Sequence, residues 1–255
     1  MTRRTTKKMV INICWFNNNL RLGDNPALSA ASKLGWVLPV FIYDREVFGG
    51  RELGAASRVW LHHSLTELDR RLRNTLLVKT GSARASLAGI VRSYKVSNIF
   101  WNRSYTPAER KQEAEARKEL EKLGVKCRSF NGSLLWEPLE ILKNDGSKFK
   151  TFSSFYKNGC LNSEVPRQPL PEPSCLNLVP RSTSELAITD LALLPTHSWG
   201  QKIASNWGIG EVSAKKQLNL FLENGINNYK TDRNFPAATS VSRLSPHLRF
   251  GELSP

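Results

Sequence analysis

Few side chains in this chain stand at spacings that do chemistry unaided. His62 and His63 are adjacent, and neighbours on a helix point ~100° apart, so they cannot share a metal as an i, i+4 pair does; they read as structural. Cys14, Cys127, Cys160 and Cys175 form no CxxC pair, which argues against a zinc centre or a redox dithiol and for reduced, buried thiols. No GxGxxG or GxxxxGK[ST] loop is present to cradle a phosphate. Two segments do place polar groups usefully. Thr106-Pro107-Ala108-Glu109 is a capping box, in which Thr106 caps a helix and Glu109 returns a bond to its backbone. Ser242 and Ser245 form a Ser-x-x-Ser step before an apolar turn, which by itself is a helix cap.

These groups need a frame, and hydrophobic patterning supplies it. Residues 10–16 and 36–43 are rich in β-branched and aromatic side chains and read as strands. Between them Asp24-Asn25-Pro26 starts a helix that runs to Lys33, an Asx cap followed by Pro at the first helical position, so the three make a βαβ unit. Further strands are expected at residues 75–80, 97–102 and 125–130, with helices at 55–73, 83–94 and 107–123. The expected fold is α/β: a Rossmann-like five-stranded parallel sheet with helices on both faces. Such sheets bind ligands at the carboxyl ends of their strands, beside the reversal in strand order.

The chain has 255 residues, 40% hydrophobic and 23% charged, which excludes collagen-like, disordered and coiled-coil classes. Its 37 Lys and Arg against 22 Asp and Glu leave a net charge of +15, so a polyanion is the first partner to consider. Arg3, Arg4, Lys7 and Lys8 place part of that charge in a terminal arm. No apolar run approaches the ~20 residues that span a bilayer, so a cytoplasmic location is the default expectation. Beyond Gly132 the pattern changes, and residues 166–180 hold five of the 13 prolines, the mark of a long connector. Helical periodicity returns after Trp199, with Val212, Lys216, Leu220 and Phe221 in a run that starts near Gly210 and closes at Asn224-Gly225. About 55 residues are too few for an independent helical core, so this second domain is expected to continue past Pro255.

Residues 15–28, from Trp15 and Phe16 through Arg21, Asp24 and Asn25 to Leu28, resemble the opening signature of the DNA photolyase and cryptochrome family. Residues 242–255, from Ser242 and Arg243 through His247, Gly251 and Glu252 to Pro255, resemble that family's flavin-phosphate motif, and residues 55–65 and 101–110 are similar to further family segments. The resemblance implies an antenna domain over residues 1–131, an interdomain linker over 132–199, and the first helices of an incomplete all-α FAD-binding domain over 200–255. It implies two cofactors: FAD, and an antenna chromophore, methenyltetrahydrofolate or a deazaflavin. The partner it implies is DNA containing pyrimidine dimers, with no membrane and a monomeric full-length form. Tyr229, Val241, Ser242, Arg243, Leu244 and Ser245 match positions that hold FAD, the last five where hydroxyls and backbone N–H groups satisfy the diphosphate. Glu109 matches an antenna-chromophore contact. Arg233 matches a position approaching the DNA backbone, with Lys230 and Arg249 candidates for the same electropositive region.

The activity implied is light-dependent repair, in which photoexcited reduced FAD gives an electron to a pyrimidine dimer flipped out of DNA. No catalytic residue is expected before Pro255, and the 255-residue chain alone is expected to be inactive and to hold FAD weakly. A cryptochrome-like photoreceptor and a stand-alone α/β chromophore-binding module are the alternatives. The chain departs from the family pattern at Asn17-Asn18-Asn19, where a basic and acidic turn is typical, and at Ala108, where folate-type members can carry Asn. None of the seven tryptophans falls where the family places its electron-transfer chain, so packing is expected of all of them.

Overall fold

The computed structural model describes residues 9–47, 52–182, 184–235, 237–238 and 240–255; the basic arm at residues 3–8 lies outside them. Five parallel strands, β1 (Ile11–Phe16), β2 (Trp36–Tyr43), β3 (Leu77–Thr80), β4 (Asn98–Asn102) and β5 (Lys126–Phe130), pair in the order β3-β2-β1-β4-β5. Helices α1 (Pro26–Leu34), α2 (Ala55–Arg71), α3 (Ala83–Tyr94) and α4 (Pro107–Lys122) connect them. Alternate residues of each strand feed opposite faces, as a two-sided sheet requires. Cys14, Phe16, Val37, Phe41 and Phe100 pack with α1 and α2, while Ile13, Trp15, Leu38, Ile99 and Trp101 pack with α3 and α4.

Most element ends match the sequence expectation, and the differences have local causes. Helix α2 stops two residues before Arg73 because Arg73 and Asn74 take left-handed φ of 56° and 60°, which a helix cannot continue. Thr75 then bonds back to Leu72 O and Leu76 N donates to Asp69 Oδ1, so β3 starts only at Leu77. Two tryptophans expected in packing are only partly covered: Trp36 at 38% and Trp199 at 36% exposure, each at the start of an element. Cys175 is also exposed, because it sits on the proline-rich surface connector, whereas Cys14 and Cys160 are buried and all four cysteines are unbridged.

After β5 the chain runs over the surface through the short helix α5 (Phe152–Ser154). Leu178 then bridges Val37 and Leu186 bridges Val78, covering the outer side of β2 and β3 where an open edge would expose unpaired backbone. Among the described residues, four helices close the chain: α6 (Trp199–Asn206), α7 (Glu211–Asn224), α8 (Tyr229–Asp232) and α9 (Ser245–Arg249). No helix among the described residues is long and apolar enough to cross a membrane.

Candidate functional site

Strand order reverses on either side of β1, so the loops after β1, β2 and β4 part at their carboxyl ends and leave a hollow. A pocket of about 90 Å³ there includes Asn17, Asn18, Tyr43, Arg45, Glu109 and Gln112 in its lining. A second hollow of about 600 Å³ shares Tyr43, Asp44, Arg45, Val47 and Gln112 with it and extends past Arg84, Ala108 and Lys111. Glu109 stands at the rim with both carboxylate oxygens engaged. Asn18 Nδ2 donates to Oε1 at 2.6 Å, and the Thr106 hydroxyl donates to Oε2 at 2.6 Å. The capping box is therefore altered: Thr106 accepts from Glu109 N, but Glu109 answers on the hydroxyl rather than on the Thr106 backbone, because Asn18 draws its other oxygen toward β1. The Asn17-Asn18-Asn19 turn reaches three partners across the sheet edge: Glu113, Glu109 and Ser133. Glu113 lies beneath, and burial pushes its carboxyl above the usual range.

The other predicted residues meet on the helical segment. Tyr229, half-buried at the start of α8, packs edge-on against Phe221 of α7 with ring centroids 5.4 Å apart, and the Arg233 guanidinium lies over the Tyr229 ring, 5.5 Å from its centroid. Gln217 Nε2 donates to Ser242 O at 3.0 Å, and Ser240 bonds Asp232, so residues 240–242 are held against α7 and α8. Arg243 takes a left-handed φ of 52°, and its guanidinium turns away to stack 4.1 Å from the Trp207 ring. Val241 is half-buried and Leu244 buried. Among the described residues, the N–H groups of Val241, Ser242, Arg243 and Leu244 and the hydroxyls of Ser242 and Ser245 have no protein partner. That is a strip of donors with no carboxylate in it, suited to an anionic ligand. Arg249 does not join Lys230 and Arg233; it donates to Asn18 Oδ1 at 3.3 Å, on the rim of the carboxyl-edge hollow.

What holds the strip in place is a joint that pattern reading did not find. Arg21, 2% exposed, donates to Gly251 O at 3.0 Å and to Gly132 O at 2.5 Å, while Phe250 O accepts from Leu20 N at 3.1 Å. Burial lowers the Arg21 guanidinium to about 10, with Asp24 and Glu211 opposing the shift. Glu252 is fully buried and accepts from Trp60 Nε1 at 3.0 Å, its other oxygen lying 2.5 Å from His247 Nδ1. Glu211, at the first position of α7, accepts from Leu22 N at 2.7 Å and Gly23 N at 3.0 Å and pairs with Lys215 and Arg71. Asp24 accepts from Leu170 N, Arg167 and Ser254. Burial would raise both carboxyls, but these donors outweigh it and hold Asp24 and Glu211 below the usual carboxylate range. Asp24 beside Gly23 and Glu252 beside Gly251, inside matched segments, were the available signal for this joint, and Glu211 lay outside them. His62 and His63 play no part in it: their rings meet edge-to-face at 5.2 Å, and no metal-holding cluster of His, Cys, Asp and Glu exists among the described residues.

A doubly wound α/β domain with a hollow at its carboxyl edge is thus joined through buried carboxylates to a helical segment that offers free donors. The DNA photolyase family model matches residues 12–174, and this chain belongs to that family. It is 34% identical over 248 residues to the deoxyribodipyrimidine photo-lyase of Agrobacterium fabrum strain C58, covering 95% of this chain and 51% of that protein. It is 32% identical over 254 residues to cryptochrome-2 of Arabidopsis thaliana, covering 95% of this chain and 41% of that protein. Among solved structures, a bacterial class III photolyase from Agrobacterium tumefaciens superposes with a TM-score of 0.90 at 31% identity over 99% of this chain and 53% of that chain. The chain thus spans about half the length of the relatives it matches.

Proposed function

We propose that this chain forms the antenna domain, linker and first helices of the flavin-binding domain of a light-dependent DNA-repair flavoprotein, one that splits cyclobutane pyrimidine dimers. The observation that carries this reading is the donor strip at residues 241–245, held to α7 by Gln217 and followed at Gly251 by the joint to Arg21 in the loop after β1. Its composition fits the diphosphate of FAD: free N–H and hydroxyl donors and no acid within residues 241–245. When bound and photoexcited in its reduced form, FAD supplies the electron that breaks the dimer. Ser242 and Ser245 would bind the diphosphate oxygens through hydroxyl and backbone donors, and Tyr229 would flank the cofactor. Arg243 contributes its backbone and its left-handed turn, since its guanidinium is committed to Trp207. An antenna chromophore, methenyltetrahydrofolate or a deazaflavin, would sit in the carboxyl-edge hollow, with Glu109 and Tyr43 among the residues that would hold it. Arg233 would meet the phosphates of dimer-containing DNA beside the FAD strip.

The test is a chimera in which the half of the Agrobacterium fabrum photolyase that follows the matched region is joined after Pro255. With FAD bound and reduced, blue light is expected to remove the dimers from an oligonucleotide. Full flavin occupancy without dimer loss would overturn the repair reading and favour the photoreceptor, which the comparable identity to a cryptochrome keeps as the second reading. The 255-residue chain by itself is expected to bind FAD weakly and to repair nothing. Stoichiometric flavin in that chain, measured by absorption, would refute this part.

A further inference from the structure

Outside both candidate sites, the chain makes a closed excursion between Trp136 and Glu164. Its neck is fastened by the Trp136 indole, which donates to Glu164 O at 2.9 Å. Its interior is small but packed: Ile141 and Cys160 are buried, and a Cβ on Gly159 would meet Ile141 Cγ2 at 2.6 Å. Phe149 lies edge-on to Phe155 at 6.2 Å. The excursion therefore has a defined shape of its own, and its outer surface has the opposite character. Phe152 is 78% exposed and stacks on Tyr156 with centroids 5.9 Å apart and ring planes 9° from parallel. Lys143, Lys148, Lys150 and Lys157 are all exposed, and none pairs with a carboxylate among the described residues. A trough of about 650 Å³ opens at Lys143, lined in part also by Asn144, Asp145, Asn158 and Asn162. Asn158 and Asn162 each donate one N–H within the excursion, to Ser154 Oγ and Asn158 O, which leaves their amide oxygens open. The one carboxylate in the trough, Asp145, accepts from Ser147 N at 2.9 Å.

We propose that this excursion binds single-stranded nucleic acid. The lysines meet phosphates, the open face of Phe152 extends the Tyr156–Phe152 column by one base, and the trough amides meet base edges. The two rings are too close for a base to enter between them, since an inserted base needs roughly 7 Å, twice the stacking distance. Only an unpaired base offers its π-face to such a column, which selects a single strand over a duplex. Charge complementarity favours a polyanion over an apolar protein face as the occupant. This surface is separate from the flavin strip, and its test needs neither flavin nor light, so its failure would leave the repair reading untouched.

The whole 255-residue chain is titrated by fluorescence anisotropy with an oligothymidylate of about 12 nucleotides, the matching oligouridylate, a duplex and an abasic strand of equal charge, between about 50 and 200 mM salt. Oligothymidylate or oligouridylate is expected to bind about tenfold tighter than the abasic strand, and the tighter of the two identifies the source as DNA or RNA. F152A/Y156A should weaken binding about tenfold with the salt slope unchanged, and Phe152→Trp should bind at least as tightly as the native chain. K148E/K150E/K157E should flatten the slope of log affinity against log salt by about two. Phe152 is exposed, so its variants should keep the native melting curve. Unchanged affinity in F152A/Y156A, or an abasic strand that binds as well as oligothymidylate, would overturn the proposal.

Discussion

In the sheet, Ile13, Leu38, Leu77 and Ile99 are wholly shielded from water, whereas on α7 Val212, Leu220 and Leu222 remain 57%, 44% and 48% exposed. The first region is held by apolar burial on two faces, a force that is strong, non-directional and tolerant of small shifts. The second adds to the packing of Phe250, Ile203 and Trp207 against the first a set of directed polar contacts: Arg21 on Gly251, Glu211 on Leu22 and Gly23, and Glu252 on Trp60 and His247. The carboxylates report the same contrast. Inside the sheet domain, burial pushes Asp69 and Glu113 up; at the joint, donors overcome burial and hold Asp24 and Glu211 down. A region built on apolar area can be weakened gradually, while one that also depends on a few buried hydrogen bonds loses several kcal/mol when a single partner goes.

The largest effect is expected from Gly251→Ala. Its φ is +63°, and an added Cβ would lie 2.5 Å from Asn19 Cα and closer still to the Asn18 carbonyl oxygen, both backbone atoms that cannot swing aside. Docking of residues 242–255 should weaken by about 4 kcal/mol or more, seen as rapid hydrogen exchange there while the strands of the sheet stay protected. Equal loss of protection in both regions would show that the two are not separately held.

Glu252→Ala comes next, because it leaves the Trp60 N–H and the His247 ring without their buried acceptor. The expected cost is about 3 kcal/mol, read from denaturant unfolding together with a change in Trp60 fluorescence. A loss below 1 kcal/mol would mean that water replaces the carboxylate.

Acid should separate the regions more gently. Asp24 and Glu211 have lowered pKa values in the folded chain, so their contribution is complete above the unfolded carboxylate range, roughly pH 4, and fades as pH falls through their folded values. Asp69 and Glu113 have raised values, so the penalty for burying them charged disappears as pH falls, and the sheet domain does not share the loss. Between pH 6 and 3, exchange protection of residues 242–255 should fall before that of β1 and β4. Simultaneous loss would contradict the opposite signs.

The smallest effect belongs to Leu222→Ser on the open side of α7, within about 0.5 kcal/mol of the native chain. The same substitution should reduce self-association in analytical ultracentrifugation, because contiguous exposed apolar surface drives it.

Much of this organisation was legible in advance. Alternation of β-branched and aromatic strands with capped helices predicts the five-stranded sheet and its two covered faces, because strand and helix periods are local properties of neighbouring residues. Asn25 capping α1 and Thr106 capping α4 were readable for the same reason: donor and acceptor are three residues apart. The joint was not readable. Leu22 and Glu211 are 189 residues apart, Trp60 and Glu252 192, and Arg21 and Gly251 230, and no local pattern pairs such distant groups. Resemblance pointed to residues 241–245 as a ligand strip, but not to the stacking of the Arg243 guanidinium on Trp207.

By itself the sequence determined the family, the order of strands and helices and the basic balance, all of which follow from residue types and short spacings. Only the tertiary structure decided which polar groups stay free and which are consumed. That choice depends on where the chain folds back: Glu109 is shared between Thr106 and Asn18, Glu252 disappears beneath Trp60, and the donors of Ser242 and Ser245 are left open. A buried polar group must find a partner wherever the fold brings one within about 3 Å, and which partner that is belongs to the packing of distant segments.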